Sequence, residues 1–461
     1  MRQFFYPSNI VVFGVTNSPD NLAKLIILNC QEAGFKGNIY PVGKKSGNVY
    51  GHKIITNPEL VPQGADLAVI LVPANGVSEI MKVCGEKGIR HVIISSAGFR
   101  EFNDEDNLSE RDVQAVAKQY GIRFIGPNCI GVICTNSGLC TPFNPMEPQS
   151  FKKGGISLIA QSGGVATQSA YIFSEEHVGF SKIISAGNKL DINEIDLLEY
   201  LMHDEDTEQI HLYLESIEDG RALMKCAKRS RKPIVLFKSN TGQTASVVAK
   251  SHTAALSNND KIVDCAVKQA GIIRVEDIHS MTVCAKALKL PPLGGDRLVA
   301  MSISGGFAVI LGDLCEKYGF VCPELPRQLL DRIESKRRGG IIRISNPMDF
   351  GDIYSPETVL ETLEDCLALD SIDGGVLSYI YSEEMTRIFQ TKIGGAEQIL
   401  GRIKNICQRT GKPIALSLFA ERHYTEEFKK TGMFPVFNDQ EESVRALRVL
   451  RNYWRGREEE D

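Results

Sequence analysis

Residues 156–164 read Ile156-Ser157-Leu158-Ile159-Ala160-Gln161-Ser162-Gly163-Gly164, and residues 299–306 read Val299-Ala300-Met301-Ser302-Ile303-Ser304-Gly305-Gly306. Each is a short apolar run passing into Ser-Gly-Gly and then into a stretch with helical periodicity. A continuously apolar strand is buried on both faces, as in a parallel sheet covered by helices. The helix that follows starts with unpaired N–H groups, where the dipole favours a phosphate or carboxylate. Glycines at such turns also serve simple chain reversal, and a single turn does not decide between the two uses.

Working outward, similar runs recur at Ile10–Val15, Leu67–Val72, Val92–Ser95, Ile210–Leu214, Ile234–Phe237, Val376–Ile380 and Ile414–Leu418, each followed by helical patterning. Alternation of this kind predicts the α/β class with doubly wound parallel sheets and right-handed crossovers. Two seams break the rhythm: Thr141–Gly155, with three prolines, and Leu288–Asp296, with Pro-Pro and Gly-Gly. They predict three domains, residues 1–145, 146–290 and 291–461. The charge-rich Arg451–Asp461 is expected to be a solvated tail.

With 461 residues, 43% hydrophobic and 24% charged, the chain is an ordinary globular sequence of several domains. The net charge of -5 supplies no basic footprint for nucleic acid. No apolar run reaches the roughly 18 residues of a membrane helix, and the N-terminal segment runs directly into a strand-like stretch. The expectation is a cytoplasmic protein, with no nucleic-acid or membrane partner. Twelve cysteines are scattered without a C-x-x-C. The closest group, Cys129, Cys134 and Cys140, suits neither zinc nor an iron-sulfur cluster, so buried reduced thiols are expected.

The leading strand, turn and helix suggest a Rossmann-type domain, yet Phe13-Gly14-Val15-Thr16-Asn17-Ser18 is not the G-x-G-x-x-G of ordinary dinucleotide sites. The second strand runs into Gly43-Lys44-Lys45, where an NAD site would place an acidic residue. Lysines there suit a phosphorylated ribose, and both NADP and CoA carry one. Val72-Pro73-Ala74, Ser95-Ser96-Ala97-Gly98 and Gly126-Pro127-Asn128 fall at further strand ends, where open sheets bind ligands. The candidate contacts are Gly14, Thr16, Ser18, Lys44, Val72, Pro73, Ser96, Gly98 and Asn128. Asn128 would orient an amide or hydroxyl of a pantetheine arm, or simply cap the turn after Pro127.

After the run Ile234–Phe237 comes a segment of small and hydroxylated residues containing Lys250-Ser251-His252-Thr253. A neutral imidazole is a competent nucleophile toward a phosphoryl group, and a carboxylate on its other nitrogen fixes the tautomer and stabilises the charged product. Glu215, at the end of the run Ile210–Leu214, is the candidate partner. Ser162, Gly163 and Gly164 at one helix start, with Ser304 and Gly305 at the other, would hold the transferred phosphate without a metal in this chain.

Several motifs in this order carry a resemblance: Gly126-Pro127-Asn128-Cys129-Ile130-Gly131, Gln161-Ser162-Gly163-Gly164, Ser185-Ala186-Gly187-Asn188 with Asp191, Tyr213-Leu214-Glu215, Lys250-Ser251-His252-Thr253 and Asn346-Pro347-Met348-Asp349. Over essentially its whole length the sequence resembles the alpha subunit of ADP-forming (NDP-forming) acyl-CoA synthetases, relatives of succinyl-CoA synthetase. The resemblance implies a Rossmann-type CoA-binding domain followed by two flavodoxin-like ligase domains. It implies a reaction in which acyl-CoA and phosphate give an acyl phosphate, His252 is phosphorylated, and the phosphoryl group passes to ADP. In such enzymes ATP or ADP and Mg are held on an ATP-grasp beta subunit, in an alpha2beta2 assembly; no Walker A motif or ATP-grasp region is found in this chain. The substrate would be a small carboxylic acid and its acyl-CoA. Two departures stand out: Ala254 where the family usually has glycine, and Thr16-Asn17-Ser18-Pro19-Asp20-Asn21 in place of a small glycine-rich first turn. They motivate an alternative, a catalytically inactive CoA- or acyl-CoA-binding regulatory module. The Rossmann start and Lys44 leave an NADP-dependent oxidoreductase as a third reading.

Overall fold

A computed structural model describes residues 1–99, 108–242, 244–245, 259–337, 339–340, 342–353, 355–388 and 394–458. The chain divides into two compact units, Met1–Ile278 and His279–Asp461.

The first unit opens with β1 (Asn9–Phe13) and β2 (Asn38–Val42), followed by the small hairpin β3 (Asn48–Val49) and β4 (His52–Lys53). It continues with β5 (Leu67–Ile70), β6 (His91–Ile94) and β7 (Arg123–Ile125). The order is β2-β1-β5-β6-β7, with every pairing parallel. Strand β5 is buried at every position, as its unbroken apolar run requires. The crossover helix Val77–Glu86 turns Val77, Met81 and Cys84 inward, the i, i+4, i+7 stripe of an amphipathic helix.

The second sheet comprises β8 (Val132–Cys134), β9 (Leu139–Cys140), β10 (Lys153–Ala160), β11 (Phe180–Ser185), β12 (Gln209–Leu214), β13 (Ile234–Lys238) and β14 (Ile273–Val275). Its order is β14-β13-β12-β10-β11-β8-β9. Strands β10 to β14 are parallel, whereas β8 runs antiparallel to β11 and to β9. Residues 132–140, on the N-terminal side of the Thr141–Gly155 seam, thus extend the edge of this sheet.

In the second unit β15 (Leu298–Ser302), β16 (Met348–Asp349), β17 (Gly374–Ile380), β18 (Ile414–Phe419) and β19 (Val436–Phe437) form a parallel sheet, order β16-β15-β17-β18-β19. The parallel strands of all three sheets share one logic: the first of them, β1, β10 or β15, lies between the next two parallel strands, and the remaining parallel strands follow outward on one side. Each therefore has its switch point at the C-terminal end of its first parallel strand, where ligands of doubly wound sheets bind.

Every apolar run identified in the sequence coincides with a strand. One central strand had no such signal. In β11, Phe180-Ser181-Lys182-Ile183-Ile184-Ser185, the polar Ser181 and Lys182 are wholly buried. The Lys182 ammonium is paired with Asp204 at 2.6 Å and lies over the rings of Phe5 and Tyr6, so its charge is met inside the fold. The expectation of a solvated tail at Arg451–Asp461 is corrected for its described part, since the helix Gln440–Glu458 packs in the second unit's core; residues 459–461 lie outside the described residues. There Arg451 Nη1 donates to Asp296 Oδ1 at 2.6 Å and to the Gly319 carbonyl at 2.7 Å. Cys129, Cys134 and Cys140 are buried free thiols, and burial pushes Cys129 up to about 12. No helix among the described residues is long and apolar enough to cross a membrane.

Candidate active site

The candidate ligand contacts of the first sheet line up along its C-terminal edge. Lys44 follows β2, Gly14 follows β1, Val72 and Pro73 follow β5, Ser96 and Gly98 follow β6, and Asn128 follows β7. Lys44 and Lys45 are exposed. Gly14 has φ 93° and passes so close to the next loop that a Cβ would lie 2.0 Å from the Leu71 carbonyl oxygen. Only glycine fits both constraints.

The turn after Gly14 is organised by a residue the sequence reading passed over. Asn21 Oδ1 accepts from Thr16 N at 3.2 Å and Lys24 N at 3.1 Å, while its Nδ2 donates to the Gly14 carbonyl at 2.9 Å. An asparagine just ahead of a helix is a standard capping signal and was the available clue. Thr16 Oγ1 is drawn into the same turn, accepting from Ser18 N at 3.3 Å. Ser96 ties strand ends together: its hydroxyl accepts from Val72 N at 3.0 Å and its carbonyl from Asn128 N at 2.9 Å. These bonds assign Thr16 and Ser96 to shaping the edge.

Asn128, with φ 57°, donates from Nδ2 to Asn188 Oδ1 at 3.3 Å. Asn188 N in turn donates to the Pro127 carbonyl at 2.9 Å, and the Asp191 carboxylate takes Phe124 N at 2.7 Å and Arg123 Nε at 2.9 Å. The loop Ser185–Asp191 of the second sheet is thereby fastened to the end of β7 in the first.

At the switch point of the second sheet, Ser162 is the N-cap of the helix Gly163–Glu175, its hydroxyl accepting from Val165 N at 3.4 Å. The preceding residue, Gln161, is buried and joins this turn to the neighbouring strand end. Its Oε1 accepts from Glu215 N at 2.9 Å and Ser216 N at 3.0 Å, and its Nε2 donates to Ser216 Oγ at 3.1 Å. Glu215 and Ser162 therefore meet at the switch point, 53 positions apart in the chain.

Two buried lysines support the same edge from below. Lys238 Nζ donates to the Glu215 carbonyl at 2.9 Å and to the Ser239 carbonyl at 2.5 Å, and burial lowers its ammonium from 10.5 to about 8. Lys189 Nζ donates to the Ser216 carbonyl at 3.0 Å and pairs with Glu194 at 3.0 Å. Burial raises the Tyr213 phenol, and its hydrogen bond with Glu215 raises it further. Gln161, Lys189 and Lys238 were missed as organisers, since nothing local marks a buried polar side chain whose partners lie elsewhere in the chain. His252 itself, with Lys250, Ser251, Thr253 and Ala254, lies outside the described residues.

In the second unit Ser304 precedes the helix Gly305–Lys317 but makes no side-chain cap; its own N donates to Ser302 Oγ at 3.1 Å. Gly305 opens the helix at that sheet's switch point.

A Rossmann-type ligand edge joined to a flavodoxin-like sheet with a capped Ser-Gly-Gly turn defines a protein of the CoA-ligase class. Residues 8–135 match the family model of a CoA binding domain, and residues 153–288 that of the succinyl-CoA ligase like flavodoxin domain. The alpha subunit of acetate–CoA ligase (ADP-forming) II from Pyrococcus furiosus is 32% identical, across 97% of this chain and 96% of that one. The 4-hydroxybutyrate–CoA ligase (ADP-forming) of Nitrosopumilus maritimus is 35% identical over 68% of this chain, a match that spans 45% of that longer protein. Among solved structures, the dinucleotide-forming acetyl-coenzyme A synthetase 1 of Ca. Korarchaeum cryptofilum, in complex with phosphate and ADP, superposes with a TM-score of 0.86 at 26% identity. That superposition covers 99% of this chain and 97% of the other. The chain belongs to the family of ADP-forming acyl-CoA synthetases, acid–thiol ligases, and corresponds to their alpha subunit. These relatives do not favour an inactive binding module or a nicotinamide-dependent oxidoreductase.

Proposed function

We propose that this chain reversibly converts acyl-CoA, phosphate and ADP to acid, CoA and ATP through phospho-His252, together with an ATP-grasp beta subunit that holds ADP or ATP and Mg. Phosphate oxygen attacks the thioester carbonyl and the CoA thiolate leaves, giving an acyl phosphate. The His252 imidazole then attacks phosphorus, the carboxylate departs, and the phosphohistidine surrenders its phosphoryl group to ADP. Glu215 accepts the hydrogen bond from the other ring nitrogen and stabilises the charged imidazole. Ser162, Gly163 and Gly164 at one helix start, and Ser304 and Gly305 at the other, supply N–H donors to the phosphate oxygens.

In this reading residues 1–145 bind CoA along the edge from Lys44 to Asn128, 146–290 carry the histidine loop, and 291–461 supply the second turn. The assembly is alpha2beta2 and cytoplasmic, and its acid is a small carboxylate. The observation that supports the reading most is Gln161, which holds Glu215 beside the Ser162 turn at a switch point. The test is to incubate the chain with its ATP-grasp partner, Mg and ATP labelled in the γ-phosphate. Acid-labile label on the wild type that disappears in His252→Ala is the expected result; label that persists in the variant, or never forms, rejects the mechanism.

A further inference from the structure

The two Ser-Gly-Gly turns, alike in sequence, are unlike in charge. In the second sheet Ala160, two residues before Ser162, stands opposite Ser185 on the adjacent strand. In the third sheet Ser302, two residues before Ser304, stands opposite Asp349. The first turn thus has a neutral hydroxyl beside it, which accepts from Ile130 N at 3.2 Å. The second has a carboxylate. Asp349 Oδ1 accepts from Gly351 N at 2.8 Å. Its Oδ2 lies over Gly305, the first residue of the helix, so closely that a Cβ there would be 2.6 Å away. Among the described residues Oδ2 has no hydrogen-bond partner and no cation pairs with Asp349.

Among the described residues, three charged groups of neighbouring segments are engaged elsewhere. Asp352 Oδ1 accepts from Gly339 N at 2.7 Å, Arg337 donates to the Ile342 carbonyl and pairs with Glu334, and Lys317 at the far end of the helix pairs with Glu441. A helix start offers the equivalent of about half a positive charge, which one carboxylate more than offsets. A phosphate dianion brought to this turn would meet net repulsion. A phosphate oxygen that keeps its proton would instead donate to Oδ2 in a short charge-assisted bond.

We propose that Asp349 makes the second turn selective for the singly protonated phosphoryl group, with the P–OH donating to Asp349 Oδ2, whereas the uncharged first turn accepts the dianion. Asp349 is on this account a specificity-determining residue of the phosphate site. The inference rests on the phosphate-binding role given above to Ser304 and Gly305.

The experiment compares the KM for phosphate between pH 6 and 8 in the holoenzyme, wild type against Asp349→Asn, which keeps the shape and the acceptor for Gly351 N. A phosphate loses its second proton near this range, a phosphate ester at about 6. In the wild type the KM should climb with pH as the monoanion is depleted. In Asp349→Asn the climb should flatten, with the KM at pH 8 about tenfold below wild type, the size of one charge-assisted interaction. Asp349→Ser, which copies the Ser185 of the first turn, should flatten it too and guards against misfolding of the first variant. Parallel profiles overturn the proposal, and so does a KM raised equally at every pH, as loss of a cation ligand would give. Labelling of His252 from ATP in the same samples separates the outcomes: parallel profiles with label intact sink only this inference, whereas absence of label in the wild type removes the functional reading beneath it.

Discussion

The side-chain oxygen of Gln161 accepts the backbone N–H of Glu215 at 2.9 Å, so the residue that introduces the proposed phosphate turn also fixes the strand end carrying the candidate carboxylate. Removing that oxygen leaves two buried N–H groups, of Glu215 and Ser216, without an acceptor, at a cost of about 1–3 kcal/mol each. Gln161→Ala should slow phosphorylation of His252 by about a hundredfold, as displacement of a positioning group by an ångström does. Gln161→Glu retains the acceptor for both N–H groups and should recover the urea midpoint, while its carboxylate beside the helix start opposes the phosphate and keeps the rate low. Rapid-quench measurement of phosphohistidine formation, beside urea unfolding, distinguishes lost positioning from lost folding. Equal rates for all three proteins would remove Gln161 from the site.

Lys238 gives a pH dependence of known sign. Burial holds its ammonium at about 8 in the folded protein against an ordinary 10.5. Between these values the unfolded chain binds more protons than the native one, so this group makes stability rise with pH across that window. Below about 8 both states are charged and its contribution is constant. Lys238→Met should abolish the rising component, seen as a flatter plot of urea midpoint against pH than the wild type gives.

The buried pair Lys182–Asp204 should respond asymmetrically. Asp204→Ala leaves an ammonium with no exposure only Ser181 Oγ at 3.0 Å and the more distant Asp206 carboxylate at 3.8 Å, and also removes the acceptor of Thr207 Oγ1, at 2.5 Å. Its expected cost is about 3–5 kcal/mol by denaturant unfolding. In the double variant Lys182→Met with Asp204→Ala no buried ammonium is left behind, only the part-exposed Asp206 carboxylate that lay 3.8 Å from it, and most of that loss should be regained. A double variant no more stable than Asp204→Ala alone would contradict this account.

Gly14→Ala introduces a Cβ into the Leu71 carbonyl at a φ of 93°. The turn must shift to accommodate it, which displaces the loop ends that bracket the proposed CoA site. Calorimetric titration with CoA should show binding weakened at least tenfold, equivalent to about 1.4 kcal/mol.

The alternation of strand and helix was legible because it is written locally. Runs such as Leu67–Ile70 and Ile10–Phe13 are apolar at consecutive positions, the usual composition of a segment buried on both faces. The Ser-Gly-Gly turns were legible for the same reason, since a helix start close behind a strand needs little bulk, although only Ser162 of the two serines caps its helix with its side chain. Strand β11 was not, because its Lys182 reads as a surface residue until Asp204, 22 positions on, is folded against it. Nor was the packing of Arg451, whose partners Asp296 and Gly319 are brought to it by the third sheet.

By itself, then, the sequence determined the class of fold and the turns that follow β10 and β15, and it supplied the residues on which the proposed phosphoryl chemistry rests. Tertiary structure alone decided which strand ends became neighbours, and hence that Gln161 grips Glu215 and that Asp349 rather than a neutral residue stands over Gly305. Local patterns follow from burial of each segment's own side chains. Contacts between segments follow from the crossover connections and sheet order, which no short window of sequence contains.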